Sequence, residues 1–551
     1  MANLLDTKEN IGIKKVFSSS LKTCAHVLVE TLSELGANRI FGYPGATVLS
    51  IYNELFNAQN IRHILVRHEQ AAVHMAEGYA RITGKPGVVL VTSGPGFTNT
   101  MTGIANAYAD STPLVIIAGD VPSNNTKGKV FQKLDIISMT KSCCKKNYLV
   151  TSKDDIKQVI HEAYTVANSG EKGPVVVAIP RNILESKYNH KPEKFLHQKK
   201  LPIVQEHDFQ KALKLIKEAK SPLLLLGGGA VDAVNEIKLL VEKTHIPVTS
   251  TLMGIGIYPS EKDLYLGMIG INGSRLANIA LNNSDLIIAL GVSFSDRTTC
   301  KNPLFAQNAK IISVNMKDIS KDFELGIVSD SSVFVKGLLE RLTSYDVKNL
   351  LSWHSKINIL REENSIKKSK SPKLQSSSVL RTIYEYTKQL EPVVVTDVGQ
   401  HQLLTAQFFN FNKPKKFITS GGLGTMGFGL PAAIGVQIAN PDSLVLNITG
   451  DGSFQMNLQE LATCREHQIP VKIIIMNNGY LGMVRQLQEK IYNQRYQVEM
   501  INPDFTKIAE AYDLYAIRVS TYAELIPALN KAISHNGTAI IDIAIDSFEE
   551  I

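Results

Sequence analysis

The stretch that most constrains this chain runs from Ser443 to Tyr480, SLVLNITGDGSFQMNLQELATCREHQIPVKIIIMNNGY. Leu444 to Thr449 is a continuous aliphatic run of the kind a strand buried on both faces requires, and Val471 to Met476 is a second. Between them lie a Gly450-Asp451-Gly452 turn and a helix predicted from Leu458 to Glu466. Strand, helix and strand at this spacing make a βαβ unit, whose strands end on the same edge of the sheet. Asp451 and Asn478, far apart in sequence, are therefore expected side by side. A carboxylate, an amide oxygen and a nearby backbone carbonyl are hard oxygen ligands, suited to Mg²⁺ when a diphosphate supplies the rest. Gly450 and Gly452 let the backbone approach phosphate oxygens, and the following helix aims its N-terminus at them. Gly-Asp-Gly alone fits an ordinary strand-to-helix turn; Asn477-Asn478 at the matching tip favours the diphosphate site.

Length and composition bound the rest. A chain of 551 residues suits about three domains, and 44% hydrophobic content gives each a core. Its apolar runs are short, none approaching the roughly 20 residues of a membrane span, so a soluble protein is expected. The N-terminal MANLLDTKENIGIKKVFSSS lacks a sustained apolar core and reads as an arm over 1–20, not a signal peptide. Five cysteines (Cys24, Cys143, Cys144, Cys300, Cys464) without metal-ligand spacing fit reduced thiols in a cytoplasm. The formal charge of +8 is spread over linkers and surface positions with no nucleic-acid motif, which fits attraction of small anionic substrates.

Strand-like and helical blocks alternate along the chain, the pattern of open α/β domains with parallel sheets. The first domain is expected over 21–185, with strands at Val88–Thr92, Leu114–Ala118 and Val175–Ile179 and helices at Cys24–Leu35 and Glu69–Thr83. A charged linker (186–203) leads to a second domain (204–345) with strands at Leu223–Leu226, Leu286–Leu290 and Ile311–Val314. A linker over 346–378, Ser/Lys-rich at its end, precedes a third domain, 379–551, with strands at Val393–Thr396 and Ala539–Ile545 besides the opening unit. The glycine-rich loop Gly421 to Gly429 lacks a preceding predicted strand and fails as a dinucleotide fingerprint.

Gly450-Asp451-Gly452 with Asn477-Asn478 resembles the thiamine diphosphate (ThDP) signature, and the resemblance extends over most of the chain to acetohydroxyacid (acetolactate) synthase catalytic subunits. It implies three doubly wound α/β domains: pyrimidine-binding, central and diphosphate-binding. It also implies decarboxylation of pyruvate and transfer of the two-carbon remainder to a second 2-ketoacid, giving 2-acetolactate or a relative. Glu69, in Arg67-His68-Glu69-Gln70, falls on the acid that hydrogen-bonds the aminopyrimidine, where a carboxyl partly withdrawn from water is suited to sharing a proton. Met426 falls on the residue that wedges the cofactor into a V shape, with Gly424 beside it. The cofactor contacts extend to Gly450, Gly452, Ser453, Leu481, Gly482 and Met483, and the metal set is Asp451, Asn478 and Tyr480. Gly45 and Ala46 match a substrate loop, Ala46 replacing a second glycine. Phe131 and Gln132 match a segment facing the reacting carbon from the partner subunit, where Gln132 would donate to a developing alkoxide. Arg297 falls on the arginine that holds the acceptor carboxylate, a task for its planar fork. Leu487 stands where the family usually has Trp, and Met483 borders the same pocket; losing the ring weakens preference for a larger acceptor by a few kcal/mol at most.

The family's biosynthetic members carry FAD. Here Gly227-Gly228-Gly229 is kept, yet Ser293 and Ser295 replace the Arg and Asp of the flavin-facing motif and Asn315 replaces an acid. Lost charge-assisted contacts lean against a bound flavin. The sequence also ends without the family's C-terminal closing segment, from which a looser lid is expected. Because Glu69 and the diphosphate motif lie in different domains, which in the family meet across subunits, a homodimer or dimer of dimers is expected. A small regulatory subunit is a further expected partner, nucleic acid and membrane are not. Two alternatives remain: a ThDP-dependent decarboxylase or carboligase with another acceptor, and a cofactor-binding scaffold without catalysis.

Overall fold

Short, largely aliphatic strands of two to seven residues build three parallel sheets in this computed structural model. It describes residues 22–124, 129–189, 203–300, 305–316, 323–364 and 373–549. The arm expected over 1–20 and most of the linker expected over 186–203 lie outside these residues.

The first sheet contains β1 (Arg39–Gly42), β2 (Arg62–Leu65), β3 (Gly87–Val91), β4 (Leu114–Asp120), β5 (Lys146–Leu149) and β6 (Pro174–Pro180), in the order β2-β1-β3-β4-β6-β5. The second contains β7 (Pro222–Leu226), β8 (Val248–Ser250), β9 (Tyr265–Met268), β10 (Leu286–Leu290), β11 (Lys310–Asn315) and β12 (Leu325–Val328), in the order β12-β11-β10-β7-β8-β9. The third contains β13 (Val393–Thr396), β14 (Phe417–Ile418), β15 (Val445–Gly450), β16 (Lys472–Asn477), β17 (Tyr515–Val519) and β18 (Ala539–Ala544), in the order β14-β13-β15-β16-β18-β17. First and third sheets thus share one topology, and the second has the strand order of dinucleotide-binding folds.

Three details differ from the sequence reading. The segment 346–378 holds the helix Leu351–Glu363, because Trp353 and Ile357, one turn apart, bury against the second sheet. Trp353 Nε1 donates to Pro222 O at 3.1 Å. The helix expected from Leu458 begins as a 3₁₀ turn, Leu458–Glu460, and continues as Leu461–His467, while Asp451 opens a short helix of its own, Asp451–Gln455. The edge strand β14 does precede the glycine-rich loop, too short at two residues to show a periodic pattern.

One core runs continuously through the first and third domains. Its centre is the crossing of the helices Glu69–Thr83 and Gly429–Ala439, both rich in small residues. A Cβ on Gly78 would lie 2.1 Å from Ala432 O, and one on Gly435 would lie 1.9 Å from Met75 O. Backbone therefore packs on backbone, and only glycine fits at either position. Gly435→Ala should force the helices apart and destabilise the protein by about 1–3 kcal/mol, as overpacked cores do, read as a lowered denaturant midpoint.

Candidate active site

The third sheet places the diphosphate motif. β15 lies between β13 and β16, with Gly450 opposite Met476 in register. The segments leaving these three strands, Asp397 to His401, Gly450 to Ser453 and Asn477 to Tyr480, therefore share the C-terminal edge, where open α/β sheets bind ligands. Between them opens a cleft lined by Asp451, Asn478, Met426, Met483, Gln400 and His401. Gly450, Gly452, Ser453, Tyr480, Leu481 and Gly482 also contribute to its wall.

Asp451 is 2% exposed, and burial raises its pKa while hydrogen bonds pull it back. Its Oδ2 accepts from Gly479 N at 2.9 Å and from Asn502 Nδ2 at 2.6 Å. Asn478 Oδ1 accepts from Tyr480 N at 2.9 Å, and Asn478 Nδ2 donates to Gln400 Oε1 at 3.2 Å. The Gln400 amide packs directly on Gly482, where a Cβ would lie 1.9 Å from Gln400 Oε1. Ser453 Oγ donates to Val398 O at 3.1 Å, tying the β15 turn to that of β13. Gly424 and Gly427, at φ +74° and +87°, bracket Met426 in the loop that presents it.

His401, Gln400 and Asn502 escaped the sequence reading. The first two follow a recognisable buried strand, so their place at the sheet edge was legible; Asn502 had no local signal. His401 is held neutral by burial, which lowers its pKa to about 3 against a hydrogen bond to the Asp397 backbone. Its Nε2 is buried without a hydrogen-bond partner in the cleft wall beside Gly450. An unpaired buried nitrogen is costly unless a ligand satisfies it.

A second cluster lies on the first domain. Glu69 begins its helix at the tip after β2, and its Oε2 accepts from Asn99 Nδ2 at 2.9 Å. A Cβ on Gly96 would lie 3.4 Å from Glu69 Oε1 and 2.6 Å from Thr92 Cγ2; one on Gly45 would lie 2.4 Å from Thr92 Cβ. Ala46, next to Gly45, is exposed. Gln132, at φ +59°, covers Gly94 of the same loop, while Phe131 is 84% exposed. Glu69 does not line the Asp451 cleft. Arg297 stands at the glycine-rich loop, its Nη1 donating to Gly421 O at 3.0 Å. Leu487 is 52% exposed and outside the cleft wall.

In the central sheet the turns leaving β7 and β10 pack backbone on backbone. Gly227 N donates to Leu290 O and Gly229 N to Gly291 O, and a Cβ on Gly227 would lie 2.2 Å from Gly291 O. Asn315 Nδ2 donates to Val292 O and its Oδ1 accepts from Met316 N, so both ends serve local backbone.

Three family models match the chain: the N-terminal TPP binding domain of thiamine pyrophosphate enzymes (residues 22–139), their central domain (209–338) and their C-terminal TPP binding domain (397–543). Fold and cleft thus define a thiamine diphosphate enzyme. The acetolactate synthase large subunit of Haemophilus influenzae is 42% identical over 545 residues, covering 96% of this chain and 95% of the relative. That of Buchnera aphidicola from Schizaphis graminum is 41% identical over 548 residues, and the isozyme 3 large subunit of Escherichia coli 40% over 548, each with the same two coverages. The chain belongs to the acetolactate synthase large-subunit family.

Replacing the unpaired nitrogen tests the cleft. His401→Leu should weaken thiamine diphosphate uptake by about tenfold while changing the unfolding free energy of the cofactor-free protein by no more than about 1 kcal/mol. Equilibrium dialysis and denaturant titration check the two parts.

Proposed function

We propose that this protein decarboxylates pyruvate and joins the two-carbon remainder to a second 2-ketoacid, giving 2-acetolactate or a closely related acetohydroxyacid. The observation that carries the reading is the buried Asp451 beside Asn478 on adjacent strand tips, in a glycine-walled cleft that Met426 also lines.

Asp451, Asn478 and the Tyr480 carbonyl are the residues that would hold Mg²⁺. Among the described residues no cluster of three or more His, Cys, Asp or Glu forms a metal site. One carboxylate with two neutral oxygens is a weak site for Mg²⁺ until a diphosphate completes the coordination. Asn502 and the Gly479 N–H hold the carboxylate in place, as partners of metal ligands do. Gln400 and His401 face the same cleft and would receive the phosphate oxygens or the metal's waters.

Thiamine diphosphate, when bound, supplies an electron sink for decarboxylation and a carbon nucleophile for the transfer. Glu69 would hold the proton shared with the cofactor's pyrimidine ring, and Asn99 fixes that carboxylate. Met426 would give the bound cofactor an apolar support in the cleft wall. Arg297, already anchored to the Gly421 carbonyl, presents its remaining N–H groups to the acceptor carboxylate. Gln132 donates to oxygen charge developing at the reacting carbon. Leu487 offers a smaller apolar surface than an aromatic ring, which lessens selection for a larger acceptor.

Within one chain Glu69 lies outside the Asp451 cleft and Phe131 stands out into solvent, which supports a homodimer whose sites each combine Glu69 of one copy with Asp451 of the other. The relatives are named large subunits, so a small regulatory partner belongs to the proposal. Five free cysteines, three of them buried, fit a reducing cytoplasm. Among the described residues no helix is long and apolar enough to cross a membrane.

The active protein works without flavin on this reading, because Ser293, Ser295 and Asn315 lack the charges of the flavin-facing residues they replace, and Asn315 is spent on local backbone. Protein purified under native conditions is expected to show no flavin absorbance; stoichiometric FAD released on denaturation would overturn this.

Glu69→Gln should abolish acetolactate formation while Mg²⁺-dependent thiamine diphosphate uptake persists. Product analysis after incubation with pyruvate checks the reaction itself: acetaldehyde in place of acetolactate would reassign the acceptor step.

A further inference from the structure

The first and third domains grip each other through two matching contacts. Glu460, of the third domain and 0% exposed, accepts from Arg67 N at 3.0 Å and His68 N at 3.1 Å through Oε1, with Arg67 N also 3.2 Å from Oε2. These are the two peptide N–H groups directly before Glu69. Asp110, of the first domain with its side chain 1% exposed, accepts from Gly421 N at 3.0 Å and Gly422 N at 2.6 Å. These open the loop that carries Gly424 and Met426. In each case one domain's buried carboxylate takes two successive backbone N–H groups from the other.

Each carboxylate is braced on its own side. Thr463 Oγ1 donates to Glu460 Oε2 at 2.7 Å, and the Arg67 guanidinium pairs instead with Glu466 at 2.6 Å. Arg81 binds Asp110 at 2.8 Å and the Thr419 carbonyl at 2.6 Å, just before the gripped amides. Asn106 Oδ1 accepts from Ser420 Oγ at 2.6 Å and Thr425 Oγ1 at 2.9 Å, so the loop is held at both ends from the first domain. Burial pushes the Glu460 carboxyl up to about 7 in spite of these bonds. An apolar interface would join the domains without that cost. It would also leave the N–H groups of both segments unpaired and the segments free to shift.

We propose that Glu460 and Asp110 are a reciprocal pair of positioning residues, each fixing the segment with which the opposite domain meets the cofactor. Glu460 sets the peptide planes from which Glu69 projects; Asp110 sets the start of the loop from which Met426 projects. This rests on the reading of Glu69 and Met426 given above. In the dimer proposed there, the Glu69 and Met426 of one chain serve different sites, so each chain's interface ties one site to the other.

The test uses the full-length protein with Mg²⁺ and thiamine diphosphate. Glu460→Ala should lower kcat on the order of 100-fold, as a misplaced catalytic group does. The affinity for thiamine diphosphate, set by the Asp451 cleft, should stay the same. Near-UV circular dichroism of the bound aminopyrimidine should change, and amide hydrogen exchange should accelerate around 65–70 but not around 450–453. Glu460→Gln, which keeps one acceptor oxygen, should lose only about tenfold in kcat, and decides the matter should Glu460→Ala not fold. Asp110→Asn should accelerate exchange around 419–426 and alter the same dichroism. Wild-type kcat and dichroism in Glu460→Gln, or exchange rising across both domains together with lost cofactor affinity, would overturn the proposal. Activity persisting in Glu69→Gln would instead sink the functional reading on which it rests.

Discussion

Where the helices Glu69–Thr83 and Gly429–Ala439 cross, main chain meets main chain with no side chain between them at Gly78 and Gly435. Such a contact has little freedom to slide, because interiors pack to crystal-like density and each shift would open a void or a clash. The first helix begins at Glu69, and the second follows the loop that carries Met426. The crossing therefore sets the distance between the two segments before any polar contact is made. The carboxylate grips at Arg67–His68 and Gly421–Gly422 then have a fixed frame in which to form.

Several buried carboxylates around this crossing are hydrogen-bonded within the protein. Asp397 is buried, its pKa lifted to about 6 by burial, and it accepts from Gly427 N at 2.8 Å and Gly429 N at 3.1 Å. His74 and Asn106 both engage Glu77, with none of the three exposed. A satisfied buried network of this kind rigidifies a core, whereas a half-satisfied one weakens it. His401 is the contrast, a buried nitrogen without a partner in a wall whose other polar groups are largely paired.

Legibility in the sequence followed the range of the interaction. Runs such as Leu286–Leu290 and Val393–Thr396 showed their strands outright, because burial on both faces demands unbroken aliphatic residues. Asp451 and Asn478 were visible because one βαβ unit carries both. Glu460, Asp110 and Asn502 were not: each acts on backbone or side chain that the fold, not the local sequence, brings near. Helix Leu351–Glu363 was hidden by its polar composition, although Trp353 and Ile357 at one-turn spacing marked its buried face. Gly227-Gly228-Gly229 was legible only as a piece the family keeps, and in the fold Gly227 and Gly229 pack on Gly291 of the neighbouring strand tip.

Trp353 is the only indole in the chain, and it is 3% exposed between its helix and the central sheet, bonded to the Pro222 carbonyl. Intrinsic fluorescence excited at the red edge thus reports on the middle domain alone. Loosening of that domain would shift the emission of a single fluorophore, while events at the cleft of the third domain would leave that emission unchanged unless they travel through the protein. The molecule carries its own optical label on the one domain that contributes neither Glu69 nor Asp451.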